Sequence, residues 1–279
     1  MSDERDQLPA ETHRALVEHG MQAIAPVAAA ADAAHDARVD THEQPLVEHL
    51  VELRARLLRI VLAVLLAFVP LFYFANDLYQ FVAAPLMAAL PKGSQMIATE
   101  VASPFVTPFK LAIYASLFLT IPYSLHQIWG FIAPGLYSKE KRFGAPLLAS
   151  SVLLFYAGGA FAYYVVFPFI FVWFVGTAPD GVTVMTDINH YLDFALGMFF
   201  AFGATFEIPV AVFLLVRTGI TSAKALAEKR PFVIVGCFVL GAIFTPPDVV
   251  SQLMMAVPMW LLFELGLVVC RLTIRTTTA

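Results

Sequence analysis

Residues 191–216 read YLDFALGMFFAFGATFEIPVAVFLLV, a long apolar run with one glutamate, Glu207, near its middle. An α-helix needs about 20 predominantly apolar residues to cross the hydrocarbon core of a bilayer. Three further runs meet that requirement, at residues 57–75, 111–131 and 146–174. Together these runs predict an all-α polytopic membrane protein.

The composition agrees with that prediction. The chain has 279 residues, of which 59% are hydrophobic and only 14% charged, and its mean hydropathy is +0.76. Both cysteines, Cys237 and Cys270, lie inside apolar runs and lack a C-x-x-C partner or a histidine at metal-ligand spacing. They are therefore interpreted as small buried side chains, and no metal site or cofactor is expected.

Two shorter apolar runs, at residues 232–244 and 253–269, are separated by the motif TPPD at 245–248. At 1.5 Å per residue, the first of them covers only about 20 Å of a hydrocarbon core near 30 Å. Two interpretations stay open from the residues alone. The pair forms either short fifth and sixth spanning helices or a re-entrant hairpin.

The distribution of cations predicts the orientation, because short cytoplasmic loops collect lysine and arginine. One face holds four groups: Arg54, Arg56 and Arg59; Lys139, Lys141 and Arg142; Arg217, Lys224, Lys229 and Arg230; and Arg271 and Arg275. The opposite face keeps Lys92 and Lys110. The alternation fits six crossings with both termini in the cytoplasm, and four crossings plus a re-entrant hairpin equally well.

The chain divides into three parts by composition. Residues 1–44 are polar and contain no charged segment leading into an apolar stretch, so they are predicted to be a disordered cytoplasmic extension rather than a signal peptide. Residues 45–275 form the transmembrane domain, and residues 276–279 a short cytoplasmic tail. Within the domain, residues 78–90 are apolar but too short to span, and we expect them to lie along the membrane interface.

Prolines and glycines in the apolar runs predict the packing of the bundle. Proline removes a backbone hydrogen bond and clashes with the preceding turn, so a bent, kinked bundle is expected. The prolines concerned are Pro70, Pro122, Pro168, Pro209 and Pro258. Small residues allow two helices to approach closely, which is predicted for Gly158, Gly159, Gly197 and Gly203.

Acidic residues are the main candidates for function. An ionised carboxylate near the bilayer centre costs at least about 2.5 kcal/mol, so Glu207 is predicted to face a polar cavity or a partner. The alternative is a protonated, hydrogen-bonded Glu207 that stabilises the bundle. Glu264 lies nearer the cytoplasmic end, two turns from Arg271, and a structural role is favoured there.

Two acids lie at the cytoplasmic edge. Glu52 and Arg56 are four residues apart, which on a helix predicts an ion pair. Glu140 is the one acid among the cations of its loop, and taken alone it is interpreted as a solvated charge. No phosphate-binding loop, H-E-x-x-H or G-x-S-x-G motif occurs, so no catalytic residue is assigned and an enzyme is not expected.

Six motifs occur in order along residues 45–275: HLVELR at 49–54, YFAND at 73–77, ASPF at 102–105, FIAPGLY at 131–137 followed by Glu140, FEIPV at 206–210, and TPPD at 245–248. In these motifs and their order the chain resembles the TatC family, the multispanning receptor subunit of the twin-arginine protein translocase. The resemblance implies six crossings in a cupped bundle, with short fifth and sixth helices.

The resemblance also implies the roles of particular residues. Glu52 and Glu140 would receive the two arginines of a signal peptide, because carboxylates bind guanidinium groups in a bidentate manner. Phe131, Arg54 and His49 would lie in the same signal-binding site. Glu207 and Asp248 would be functional polar groups within the membrane, and Thr245 and Gln252 would contact partner subunits.

The function implied by the resemblance is export of folded proteins. The chain would bind the Arg-Arg motif of signal peptides in the bacterial inner membrane, associate with itself, and act with the single-span subunits TatA and TatB under the proton-motive force. No nucleic-acid partner is expected. The alternatives are a proton- or ion-coupled small-molecule transporter with Glu207 as the coupling acid, and a structural scaffold for other membrane proteins.

Overall fold

The structure is a computed structural model that describes residues 46–132, 144–179, 182, 184–245 and 248–275. The predicted boundaries at residues 44 and 275 and the character of the two terminal segments stay predictions, because residues 1–45 and 276–279 lie outside the described residues. Within the described ranges the chain is helical, and the pairing of Ile97 with Asp187 is an isolated bridge. The all-α prediction is confirmed.

The structure describes eleven α-helices, numbered here in chain order. They are α1 (Leu46–Tyr73), α2 (Ala75–Ala89), α3 (Ser103–Leu119), α4 (Ile121–Ile132), α5 (Gly144–Phe161), α6 (Phe167–Gly176), α7 (Ile188–Phe206), α8 (Ile208–Arg217), α9 (Ala223–Glu228), α10 (Arg230–Phe244) and α11 (Val249–Arg275). A π-helical segment, Ala162–Val166, joins α5 to α6.

Four helical stretches are long and apolar enough to cross a membrane: Leu50–Tyr73, Gly144–Gly176, Ile188–Arg217 and Val249–Thr273. A fifth is formed if α3 and α4, which meet at a bend of 52°, count as one span. Helix α10 is apolar but shorter. The count of six crossings and the cytoplasmic location of both termini stay predictions.

Three of the five prolines coincide with breaks in these spans. Pro122 follows the bend at Thr120, Pro209 follows the break at Glu207, and Pro168 follows the π-helical segment. A π turn is wider than an α turn, so it makes room for the proline ring where the carbonyl of the preceding turn has lost its N–H donor. Pro70 and Pro258, by contrast, lie inside the continuous helices α1 and α11.

Glycines determine how closely α5 and α7 pack. A Cβ atom at Gly158 would overlap the backbone carbonyl of Phe202, and one at Gly203 would lie 2.7 Å from the ring of Phe155. The prediction of close approach is confirmed at these positions and at Gly159, whose Cβ would lie 2.6 Å from Phe118. It is wrong for Gly197, where nothing lies within 4 Å.

Helix α2 contains the predicted interfacial stretch and bonds to the start of α7 and to the π-helical segment. The hydroxyl of Tyr191 donates to the carbonyl of Val82 at 2.7 Å, and that of Tyr163 donates to Phe81 at 2.8 Å. At 15 residues the helix is too short to span a bilayer. Its separate existence is confirmed, and its position along the interface stays a prediction.

Asp187 joins the connection between α2 and α3 to the start of α7. Its carboxylate caps α7 by accepting from the backbone of Asn189 at 2.8 Å and His190 at 3.1 Å, and it also accepts from the hydroxyl of Thr99 at 2.7 Å. The Thr99 hydroxyl and the backbone N–H groups hold the pKa of Asp187 well below its usual range.

Candidate functional site

The candidate site lies at the start of α1, where Glu52 and Arg56 form the predicted helical ion pair. Nε and Nη2 of Arg56 donate to Oε1 of Glu52 at 2.9 Å and 2.7 Å. The side chains of Glu52 and Arg56 are 31% and 20% exposed, respectively. Partial burial reduces the screening that makes fully exposed pairs weak.

Arg56 also reaches the end of α4. Its Nη2 donates to the carbonyl of Gly130 at 2.9 Å, and its Nη1 to the carbonyl of Gln127 at 3.3 Å. The last carbonyls of a helix lack partners within the helix and carry a partial negative charge, so a cation there is favourable. Arg56 therefore links Glu52 to the end of the second apolar run.

The absence of a side chain at Gly130 permits this arrangement. A Cβ atom at Gly130 would overlap Nη1 of Arg56. The side chain of Gln127 is buried, and its Oε1 lies 3.4 Å from the same Nη1. The guanidinium of Arg56 is thus surrounded by oxygen acceptors of α1 and α4.

Among the described residues, the arrangement leaves one oxygen of Glu52 without a donor. Both bonds from Arg56 go to Oε1, and within the described ranges no group donates to Oε2. A carboxylate has acceptor capacity for several donors, so Glu52 can bind a second guanidinium without releasing Arg56. This geometry suits recognition of an arginine side chain.

Of the remaining residues predicted for the signal-binding site, some are described by the structure and others are not. Phe131 is half-buried in the last turn of α4, directly after Gly130. Arg54 is exposed on α1, and His49 lies in the first turn of α1, where its side chain is outside the described part of the chain. Glu140 also lies outside the described residues.

Glu207 lies at the break between α7 and α8. Its Oε1 is buried, and no described residue donates a hydrogen bond to it. The buried hydroxyl of Ser151, on α5, interacts with the same carboxylate. A buried polar atom without a partner is uncommon and costly. The location agrees with the predicted intramembrane position and does not decide between its functional and structural interpretations.

The polar residues around the α10–α11 turn bond mainly within that hairpin. Thr245 donates through Oγ1 to Gly241 at 2.8 Å, and Gln252 donates through Nε2 to Phe238 at 2.9 Å. Oδ1 of Asp248 accepts from the backbone of Ser251 at 2.8 Å, while its Oδ2 is buried without a partner in the described ranges. The three predicted residues thus lie together at one end of the hairpin.

Sequence reasoning missed several pairs between distant segments. Arg271, which lies two turns from Glu264, has an electrostatic effect on it, but the hydrogen-bonded partner of Glu264 is Arg230, at 2.5 Å and 2.8 Å. Lys110 bonds to Asp193 at 2.6 Å, a pair that no local spacing indicates. Likewise, the sequence predicted Glu52 as the partner of Arg56 but gave no signal for the hydrogen bonds of Arg56 to α4.

The helices and the site define a multi-pass membrane protein with a carboxylate–guanidinium site at one end of its bundle. Among the described residues, no group of His, Cys, Asp and Glu could hold a metal ion. A family model described as Sec-independent protein translocase protein (TatC) matches residues 48–258. The chain belongs to the TatC family, which confirms the resemblance of its motifs.

Individual relatives of the chain belong to the same family. The Sec-independent protein translocase protein TatC of Azotobacter chroococcum mcd 1 is 63% identical over 231 residues, covering 82% of this chain and 91% of the relative. The Escherichia coli K12 protein of the same name is 57% identical, covering 80% of this chain and 86% of the relative. A crystal structure of the twin-arginine translocase receptor TatC superimposes with a TM-score of 0.73 at 35% identity, covering 80% of this chain and 98% of the other.

Proposed function

We propose that this chain is the receptor subunit of a twin-arginine translocase and that Glu52 binds an arginine of the signal peptide. The observation that carries the proposal is Oε2 of Glu52, which accepts from no described residue and is held beside a partly buried Arg56. Family membership favours a translocase receptor over a small-molecule transporter or a scaffold. The bound motif would be Arg-Arg, on folded cargo that is exported under the proton-motive force.

Two adjacent arginines need two acceptors, and Glu140 is proposed as the second. Exposed ion pairs contribute only about 0 to 1 kcal/mol each, so useful affinity requires bidentate geometry and partial removal from water. The side chain of Glu52 is 31% exposed, which satisfies the second condition in part. Phe131 would supply apolar contact, and Arg54 and His49 would complete the proposed site.

The partners and location are proposed from the same family relationship. The chain would lie in the bacterial inner membrane with both termini in the cytoplasm, associate with itself, and act with TatA and TatB. Thr245 and Gln252 would contact those single-span partners, and Asp248 would support them from the same turn. Glu207 would act as the polar group of the membrane interior.

Photo-crosslinking of a twin-arginine signal peptide to inverted membrane vesicles tests the site. Glu52→Gln and Glu140→Gln keep the shape of the side chain and remove its charge, so each is expected to weaken binding of an Arg-Arg signal strongly. A Lys-Lys signal is expected to bind poorly to the unchanged protein, because ammonium lacks the planar fork of guanidinium. The effects of the substitutions and of the signal change should not add, since they remove the same interactions.

Glu100→Gln is the matched control, because Glu100 is an exposed acid at the other end of the bundle. Its crosslinking yield is expected to equal that of the unchanged protein. Full binding by the Glu52→Gln/Glu140→Gln double variant, or equal binding of Arg-Arg and Lys-Lys signals, would reject the site. Solute movement by the chain reconstituted alone would instead support a transporter.

A further inference from the structure

A cavity lies at the end of the bundle where α8 ends, α10 begins and α11 ends. These elements and the short helix α9 line the cavity, which is open to the surface and has a volume of about 1120 Å³. Its lining includes three cations, Lys224, Arg230 and Arg271, and one acid, Glu228. None of these residues takes part in the proposed signal site.

The charge of the cavity is only partly neutralised by the protein. Glu264 forms a bidentate pair with Arg230, which fixes that guanidinium at the wall. Within the described ranges, Lys224 and Arg271 form no ion pair, and Glu228 does not pair with Lys224 although it lies one turn away. Two cations of the lining therefore have no ion-pair partner among the described residues, and Arg271 is influenced by Glu264 only at longer range.

The rest of the lining consists of two hydroxyl residues, Thr221 and Ser222, and of small or apolar residues, which include Val216, Ala223, Ala227 and Cys270. Apolar side chains next to the cavity are also exposed: Ile220 is 74% and Leu272 is 68% exposed. The cavity thus combines a partly cationic lining with apolar surface at the end of the apolar spans. A free anion does not need such apolar surface, whereas the acyl chains of a lipid do.

We propose that this cavity binds the phosphate headgroup of an anionic glycerophospholipid, with Lys224 and Arg271 contacting the phosphate and the acyl chains lying on the adjacent apolar surface. Basic pockets between membrane helices are suited to such headgroups, and a cation near an anionic bilayer surface is attracted to it. The lipid would hold α9 and the ends of α8 and α11 at the membrane surface. The inference goes beyond the proposed function and requires only that this end of the bundle lies at a membrane surface.

Native mass spectrometry of the full chain in detergent tests the proposal, with equal amounts of phosphatidylglycerol and phosphatidylcholine as probes. Phosphatidylglycerol adducts are expected to predominate. Lys224→Gln and Arg271→Gln should each reduce them about two- to five-fold, the range expected when one partly exposed ion pair is removed. Glu228→Gln removes the opposing charge and should increase them.

Lys229→Gln is the matched control, since Lys229 is an exposed cation of the same connection that does not line the cavity. Equal binding of the two lipids, or an equal loss in Lys229→Gln, would overturn the proposal. Displacement of the lipid by millimolar inorganic phosphate would overturn its assignment to a lipid. The cavity variants should crosslink to signal peptide normally, and Glu52→Gln should bind lipid normally, so the two proposals fail independently.

Discussion

Arg56 provides the sharpest test of the signal site, because its role can be interpreted in two opposite ways. If Arg56 positions Glu52 and the end of α4, then Arg56→Lys should weaken signal binding. If Arg56 merely competes with the incoming arginine for Glu52, the same substitution should strengthen binding. The geometry favours positioning, since both donors to Glu52 share Oε1 and the guanidinium also bonds to α4.

The size of the effect follows from the hydrogen bonds that Arg56→Lys would remove. Lysine keeps the charge but cannot donate simultaneously to Glu52, Gly130 and Gln127 from one planar group. Hydrogen bonds to charged groups contribute about 1.5 to 3 kcal/mol each when buried. The 20% exposure of Arg56 lowers that contribution, so we expect signal binding to weaken by about 1 to 2 kcal/mol. This corresponds to a fall in signal affinity of about 5- to 30-fold.

Photo-crosslinking yield against signal concentration measures that fall, with Arg59→Lys as the control. Arg59 is an exposed cation on the same helix, and its substitution should leave the titration unchanged. Thermal unfolding of the purified variants separates loss of binding from loss of fold. A titration for Arg56→Lys that is unchanged, or shifted to higher affinity, would refute the positioning role.

Three further predictions concern the membrane-embedded part. If the chain crosses the membrane six times, a cysteine that replaces Asp248 should react with an impermeant thiol reagent only from outside, and one that replaces Lys224 only from inside. Labelling of both from the same side would reject six crossings. Glu207→Leu should insert and assemble, because removal of a poorly paired buried polar group need not destabilise the fold, yet it should impair export; normal export would make Glu207 structural. Gly158→Val should lower the free energy of unfolding by about 1 to 3 kcal/mol through overpacking, while Gly197→Ala should leave it unchanged. Equal melting temperatures of Gly158→Val and the unchanged protein would contradict the close contact.

Sequence alone determined the features that depend on local pattern. The bilayer requires every backbone polar group to bond within its own segment, so a run of apolar residues is sufficient to predict a spanning helix. The ion pair of Glu52 and Arg56 follows from a spacing of four on a helix. The order of the motifs was sufficient to indicate the family, which the relatives confirm.

Only the tertiary structure decided the hydrogen bonds between distant segments. Arg56 and Gly130 are 74 residues apart, and Thr99 and Asp187 are 88 apart. Many acceptors were chemically suitable for each donor, and nothing in the local sequence selects one of them. The selection follows from helix packing, which brings the end of α4 against α1 and the connection between α2 and α3 against the start of α7.

The breaks in the spanning helices also depend partly on the local sequence and partly on the tertiary structure. Proline predicts that a helix is disturbed, because it lacks an N–H group whatever its surroundings. Whether the result is a bend at Thr120, a π-helical segment before Pro168 or a continuous helix through Pro258 differs from site to site. Neighbouring helices and polar side chains determine which of these best satisfies the freed carbonyl groups, and only the folded bundle supplies them.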